Sequence, residues 1–355
     1  MGRRSLKKNS RVKVIALMLS IAIVLTGSTL AALNLDYIKA QYLKFVTLDY
    51  EGPGIGEVVI RIEEGDDGEK ITRKLLKAGV IKDFDSFYRL VLSEEPIFYP
   101  GSFSLKLEMS NSEALKVLRN QANALTYKIT IPEGFRAFMI FEEISNITGI
   151  SQKELIRTAE DLSAFGIPAE AQTIEGYLFP ATYSFDPSAS AFDILQTMVN
   201  RMFVELEEQG VTSDKAHRVL TLASIIQREA RLESDFYKVS RVFANRIEKS
   251  MKLETDPTIS YSYDGKDMSD STVEEARDFG YNTYVIEGLP LGPISSPGAL
   301  AIDAALNPEP GKWLFFCTIN LETGETVFTD TFAEHEEQVR LLRQWELENP
   351  GWYDQ

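Results

Sequence analysis

The segment Val219-Leu-Thr-Leu-Ala-Ser-Ile-Ile-Gln-Arg-Glu229-Ala places a carboxylate where helical periodicity buries it. Leu222, Ile225 and Ile226 form an apolar stripe, and Glu229 falls seven, four and three positions beyond them. It therefore continues that stripe, while Gln227 and Arg228 take other directions. A carboxylate that loses hydration holds its proton to higher pH, which a general acid working near neutrality requires. The same pattern also fits a glutamate near a helix end, paired with Arg228, Arg231 or Arg241.

A second cluster is Tyr281-Asn-Thr-Tyr284, followed by Gly288-Leu-Pro-Leu-Gly-Pro-Ile-Ser-Ser-Pro-Gly298. Glycine and proline set a rigid backbone path. Tyrosine rings beside short amide and hydroxyl groups suit a carbohydrate, with rings on sugar faces and polar tips on hydroxyls. A structural loop ending in a helix cap has the same composition. Leu253-Glu-Thr-Asp-Pro-Thr258 reads as a structural turn, with Asp256 as cap and Pro257 in the first helical position. Other chemistries lack their residues. There is no Gly-x-Ser-x-Gly elbow and no phosphate-binding glycine loop. The two histidines, His217 and His335, are far apart and have no metal-ligand spacing. His335 lies among Glu334, Glu336 and Glu337, which reads as a solvated helix face.

The elements that must position these residues are predicted from periodicity. A strand at Val58–Ile62, helices at Glu69–Ala78 and Asp83–Val91, a strand at Ser102–Leu107 and a helix at Ser112–Leu118 make a small α+β module over 57–122. A larger, helix-rich α+β domain over 123–355 opens with a strand at Tyr127–Ile131. Helices follow at about 136–148, 151–163, 189–208, 214–231 and 234–249, then a loop-rich stretch from 254 to 298. Ser296-Pro297 is expected to cap a helix that runs to Asn307. A hairpin, Trp313–Thr318 with Thr326–Thr329, and a last acidic helix close the chain.

The 355 residues carry a net charge of −16, unevenly spread. Residues 1–13 hold six basic side chains and no acidic one, leaving 31 basic against 53 acidic residues, or −22, for the rest. Such a body repels phosphate backbones, so nucleic acid is not an expected partner. The single cysteine, Cys317, allows no internal disulfide and reads as apolar filler. Val14–Leu33 is free of charge over twenty residues, about 30 Å of helix, the thickness of a bilayer's hydrocarbon. It is expected to be a single transmembrane helix, with 1–13 as a cytoplasmic tail, 34–56 as a juxtamembrane linker and everything beyond extracytoplasmic. A cleaved signal peptide is the competing reading, and the apolar run is longer than the usual signal core of ~7–15 residues.

Six motifs in series carry a resemblance. They are Glu175-Gly-Tyr-Leu-Phe-Pro-Ala-Thr-Tyr183, Leu222-Ala-Ser-Ile-Ile-Gln-Arg-Glu229, Val242-Phe-Ala-Asn-Arg246, Leu253-Glu-Thr-Asp-Pro-Thr258, Tyr281-Asn-Thr-Tyr284 and the Gly288–Gly298 loop. In order and spacing the chain resembles the endolytic murein transglycosylase (MltG, YceG-like) family over roughly 57–345. The resemblance implies a LysM-like small module and a membrane-anchored domain that cleaves peptidoglycan glycan strands. Glu229 is then the catalytic acid/base, and Glu175, Asn282, Thr283, Ser295 and Ser296 line the glycan cleft. Many members carry a second glutamate at the position of Gln227, a departure that leaves Glu229 alone. The implied reaction breaks the MurNAc–GlcNAc link without water and leaves 1,6-anhydro-muramic ends, terminating strand growth. It needs no metal or organic cofactor. Penicillin-binding proteins and other wall-synthesis proteins are implied partners. Two rival readings are a non-catalytic, membrane-anchored peptidoglycan-binding scaffold and a hydrolysing glycosidase.

Overall fold

A computed structural model describes residues 48–262 and 280–352. The described residues divide into two compact units, one ending at Leu125 and the other beginning at Thr126. The predicted basic tail and transmembrane helix lie outside the described residues. Among the described residues, no helix is long and apolar enough to cross a membrane.

In the first unit, β1 (Ile55–Ile62) pairs antiparallel with β2 (Gly101–Leu107). Between them run α1 (Gly68–Lys77) and α2 (Phe84–Glu94), and α3 (Asn111–Leu118) follows. Each helix starts on a side-chain cap that satisfies a free backbone N–H: Asp67, Asp83 and Ser110. Ile60, Ile62, Ile71, Leu75, Phe87, Phe103, Leu105 and Leu115 form one apolar core.

In the second unit, β3 (Tyr127–Thr130) pairs antiparallel with β4 (Thr182–Phe185). α4 (Ala137–Thr148) and α5 (Gln152–Ala159) lie between them in sequence. The long helices α6 (Ala191–Glu208), α7 (Ser213–Glu229) and α8 (Glu233–Glu248) follow, then α9 (Asp256–Ser262) and α10 (Ala299–Leu306). The hairpin β5 (Phe315–Asn320) and β6 (Glu325–Thr329) is followed by α11 (Phe332–Glu348). The core is shared by all three long helices' inner faces, with Ile225 and Ile226 of α7 completely buried.

Two elements differ from the sequence reading. β4 lies in a stretch to which the sequence reading assigned no element, although Thr182-Tyr-Ser-Phe185 alternates outward and inward as a strand does. α10 begins at Ala299 with Gly298 as its cap, not at Ser296. The reason is that Ser296 is engaged elsewhere. Its N–H donates to the Phe135 carbonyl (2.8 Å) and its carbonyl accepts from Gly134 N–H (2.8 Å), so the chain is held extended there.

Candidate active site

Glu229 is the last residue of α7, and Ala230 leaves the helix in an extended conformation. With 100° per residue, Glu229 falls between Ile225 and Ile226 on the helical wheel, over the core. Ser224 and Gln227 point to the opposite side and hold the 288–298 loop. The Ser224 hydroxyl accepts from Ile294 N–H (3.0 Å), and Gln227 Oε1 accepts from Gly298 N–H (3.0 Å). One helix thus fixes the acid on one side and a long loop on the other.

Glu229 is half-buried in the wall of a cavity of about 330 Å³. Glu254, Thr255, Asp256, Tyr284, Arg246, Phe315, Phe316, Phe332 and His335 share that wall. Burial pushes the Glu229 carboxyl up to about 7; the Thr255 hydroxyl beside it pulls the value down, and the Asp256 charge raises it again. The nearby cations Arg228 and Arg246 act downward. Position at a helix C-terminus, where the backbone dipole is negative, works in the same direction as burial. No backbone N–H bonds the carboxylate among the described residues. The result is a carboxylic acid that holds its proton near neutral pH beside an open space.

The opposite wall is tied together by two residues. Arg246 of α8 is almost fully buried and donates to the carbonyls of Leu314 (2.7 Å) and Leu253 (2.8 Å) and to the Glu254 carboxylate (3.3 Å). It lies over the Phe315 ring at 5.1 Å. Thr283 accepts from Thr255 N–H (3.0 Å) and shares a hydroxyl bond with Thr258 (2.9 Å), while its carbonyl accepts from Glu254 N–H (3.1 Å). Held at both ends, Glu254 takes a φ of +50°, a region that non-glycine residues rarely occupy. Beside it, the Tyr284 hydroxyl donates to Asp256 Oδ1 (2.6 Å). The Leu253–Thr258 segment, read from sequence as a turn, is therefore cavity wall and brings two more carboxylates to Glu229.

The other residues expected in the cleft stand behind its surface. Asn282, Thr283, Ser295 and Ser296 are fully buried. Asn282 Oδ1 accepts from Tyr284 N–H (3.0 Å), and the Ser295 hydroxyl donates to the Ser224 carbonyl (3.3 Å). Side chains without accessible surface shape the loops and do not touch a ligand in this conformation. Glu175 lies in a different cavity of about 340 Å³, with Ala137, Phe141, Ile156, Thr173 and Tyr261. Its carboxylate accepts from the N–H of Ala137 (2.9 Å), the first residue of α4, whose own cap residue Arg136 makes no side-chain cap bond. The neighbouring Gly176 has φ +80°, and a Cβ there would lie 2.3 Å from Pro293. Helix α9 joins the two cavities, with Asp256 in one wall and Tyr261 in the other. Tyr281 packs on Tyr261 (4.9 Å between centroids), so of the two tyrosines proposed for sugar only Tyr284 faces Glu229.

The sequence reading missed His335. Spacing assigned it to a solvated face, yet it lies on Phe315 (5.3 Å, 22° between planes) in the Glu229 cavity. A signal was present in hindsight: aromatic Phe332 three residues earlier marks that face as apolar.

The sequence model of the YceG-like family matches residues 60–341. A Bacillus subtilis (strain 168) protein named endolytic murein transglycosylase is 33% identical over 300 residues, which is 78% of this chain and 82% of that one. A protein of the same name from Streptococcus pneumoniae serotype 2 (strain D39 / NCTC 7466) is 26% identical over 345 residues, covering 85% of this chain but only 61% of its relative. The crystal structure of a yceG-like protein from Listeria monocytogenes superimposes with a TM-score of 0.53 at 29% identity, over 79% of this chain and 99% of that one.

Proposed function

The chain belongs to the YceG-like family, and from that premise we propose how its cavity works on glycan. The protein is an endolytic peptidoglycan lytic transglycosylase, a carbon–oxygen lyase. The acid is Glu229. One observation carries this assignment: a carboxyl pushed up to about 7 stands in a cavity wall with no backbone N–H among the described residues to hold its charge.

Protonated Glu229 gives its proton to the glycosidic oxygen between MurNAc and GlcNAc as the C1–O4 bond breaks. The C6 hydroxyl of the same muramic residue closes on C1 and returns its proton to the Glu229 carboxylate. The proton is conserved, no water enters, and a 1,6-anhydro-muramic end results. One carboxyl serves both steps, in contrast to the two of hydrolysing glycosidases. Asp256, held by Tyr284, supplies negative charge where a positive oxocarbenium character develops. Cleavage of nascent strands in this way would end their growth.

The surrounding organisation is part of the same proposal. Val14–Leu33 anchors the chain in the cell membrane with the N-terminus cytoplasmic, residues 57–122 act as a LysM-like module, and wall-synthesis proteins such as penicillin-binding proteins are partners. The basic residues before the apolar run support the orientation. Mass spectrometry of glycan strands digested by the full chain in detergent tests the chemistry. Anhydro ends from the wild type and none from Glu229→Gln are expected. Reducing ends would overturn the intramolecular step, and anhydro ends from the variant would overturn the choice of acid.

A further inference from the structure

Of the titratable side chains in the cavity that the reaction above does not use, Glu254 is paired with Arg246, and His335 is left. His335 sits on the first turn of α11, in the same wall as Glu229. Its placement is built locally. Thr331 and Glu334 form a capping box that fixes where the helix starts, and Phe332 and Phe315 flank the ring at 6.2 and 5.3 Å. The stacking on Phe315 limits how the imidazole can turn.

Neither ring nitrogen of His335 has a hydrogen-bond partner among the described residues, and Nδ1 is buried. A buried polar atom without a partner is destabilising by about 1–3 kcal/mol, so the orientation of this ring is not set by a hydrogen bond within the fold. Burial, and then the Arg246 charge, lower the ring's pKa, so that it is neutral at neutral pH. A neutral imidazole has one donor and one acceptor. A buried lone pair left empty is the smaller penalty compared with a buried N–H left unbonded, which puts the proton on Nε2. The donor is then the nitrogen that remains for the cavity.

We infer that His335 is a substrate-contacting residue whose Nε2–H donates a hydrogen bond to a sugar oxygen of the glycan bound beside Glu229. The inference rests on the glycan-cleaving reading of this cavity and deepens it. A neutral donor suits an uncharged polyhydroxy chain, whereas Arg246, the cation lining this wall, is already spent on Leu314, Leu253 and Glu254. The contact would fix the pose of a sugar next to the bond that breaks, which is how a remote hydrogen bond raises rate.

Two substitutions in the full chain separate contact from packing. His335→Phe keeps an aromatic ring against Phe315 and removes the donor. His335→Gln keeps an amide N–H at a similar reach and removes the ring. Steady-state kinetics on glycan strands should show kcat/KM lowered about 10- to 100-fold in His335→Phe. His335→Gln should recover most of that loss. In the inactive Glu229→Gln background, His335→Phe should also weaken strand binding without lowering the melting temperature, since it removes the unpartnered Nδ1. Wild-type kcat/KM in His335→Phe overturns the inference, as does equal impairment of both variants, which would mean the ring serves packing. Should His335→Phe not fold, His335→Leu is set beside His335→Gln: a lower kcat/KM in the Leu variant supports the contact, and equal values overturn it. Failure of the wild type to produce anhydro ends would instead sink the reading of the cavity, and this contact with it.

Discussion

Glu175 and Glu229 are the same residue type in the same unit, and burial pushes both up to about 7. Their surroundings differ in kind. Glu175 receives the Ala137 N–H on both oxygens and completes the first turn of α4, for which Arg136 provides no cap. Glu229 has a threonine hydroxyl, a neighbouring carboxylate and open space. A raised pKa therefore does not identify an acid catalyst. What separates the two is whether the carboxyl is already committed to backbone donors.

The largest effect that tests this contrast is on turnover. Glu229→Gln is expected to lower kcat by about 10²- to 10⁴-fold, the usual share of a general acid. Glu175→Gln keeps an oxygen for the Ala137 N–H and is expected to stay within about threefold of wild type on that ground. Comparable losses at both positions in folded protein would break the distinction. The pH profile sharpens it further. Glu229 must be protonated, so kcat should fall about tenfold per pH unit above about 7, and Glu175→Gln should leave that limb in place.

Stability should not distinguish the two glutamates. For each, the folded-state value lies above that of the unfolded chain. Below pH about 4.5 both states are protonated and nothing is lost. Between 4.5 and about 7 the unfolded chain releases the proton and the folded one does not, so stability falls with rising pH; above 7 the deficit is constant. Replacement by glutamine at either site should therefore raise the melting temperature at pH 8 and not at pH 4. The difference is on the order of 3 kcal/mol. Calorimetry that showed a pH-independent difference would contradict the burial of that carboxyl.

The loop opposite the acid gives the next effect. Thr283→Val leaves the buried Thr255 N–H without an acceptor, which costs about 1–3 kcal/mol and frees the Glu254–Asp256 segment. Activity should fall along with stability, about tenfold, because the displaced wall is the one that faces Glu229. Retained stability with lost activity would point instead to direct contact between Thr283 and the glycan.

The sequence made one half of the site legible. Periodicity in α7 put Glu229 over the core because helix geometry is local and the apolar residues at 225 and 226 report the buried face. It did not reach Arg246, Asp256 or His335. Their places depend on how α8, the 253–258 loop and the β5–β6 hairpin pack together, and no spacing within a single element encodes that. The five residues taken from motif positions were visible as a set for the same reason that they are buried. Loops that must bond to α4, α7 and the 253–258 segment need particular polar side chains, as a cleft surface would. Ser296 shows the limit: its Ser-Pro signature reads as a helix cap, yet Gly134 and Phe135, some 160 residues earlier in the chain, hold it extended.

The smallest expected effect concerns Gln227, where many relatives are expected to carry glutamate. Its Oε1 accepts the N–H of Gly298 at the start of α10, on the side of α7 away from Glu229. A glutamate could make the same bond, with a charge placed favourably at a helix N-terminus. Gln227→Glu should therefore change stability by less than about 1 kcal/mol in either direction and leave kcat near wild type. The decisive version is the double variant. If a carboxyl at 227 could act on the glycan, Gln227→Glu would restore some turnover to Glu229→Gln. The helix wheel forbids it, since the two positions are 200° apart around α7 and the 227 side is covered by the 294–298 loop. Restored anhydro ends in the double variant would mean that this loop opens and that the acid is chosen by charge at the helix end, not by the direction in which one side chain points.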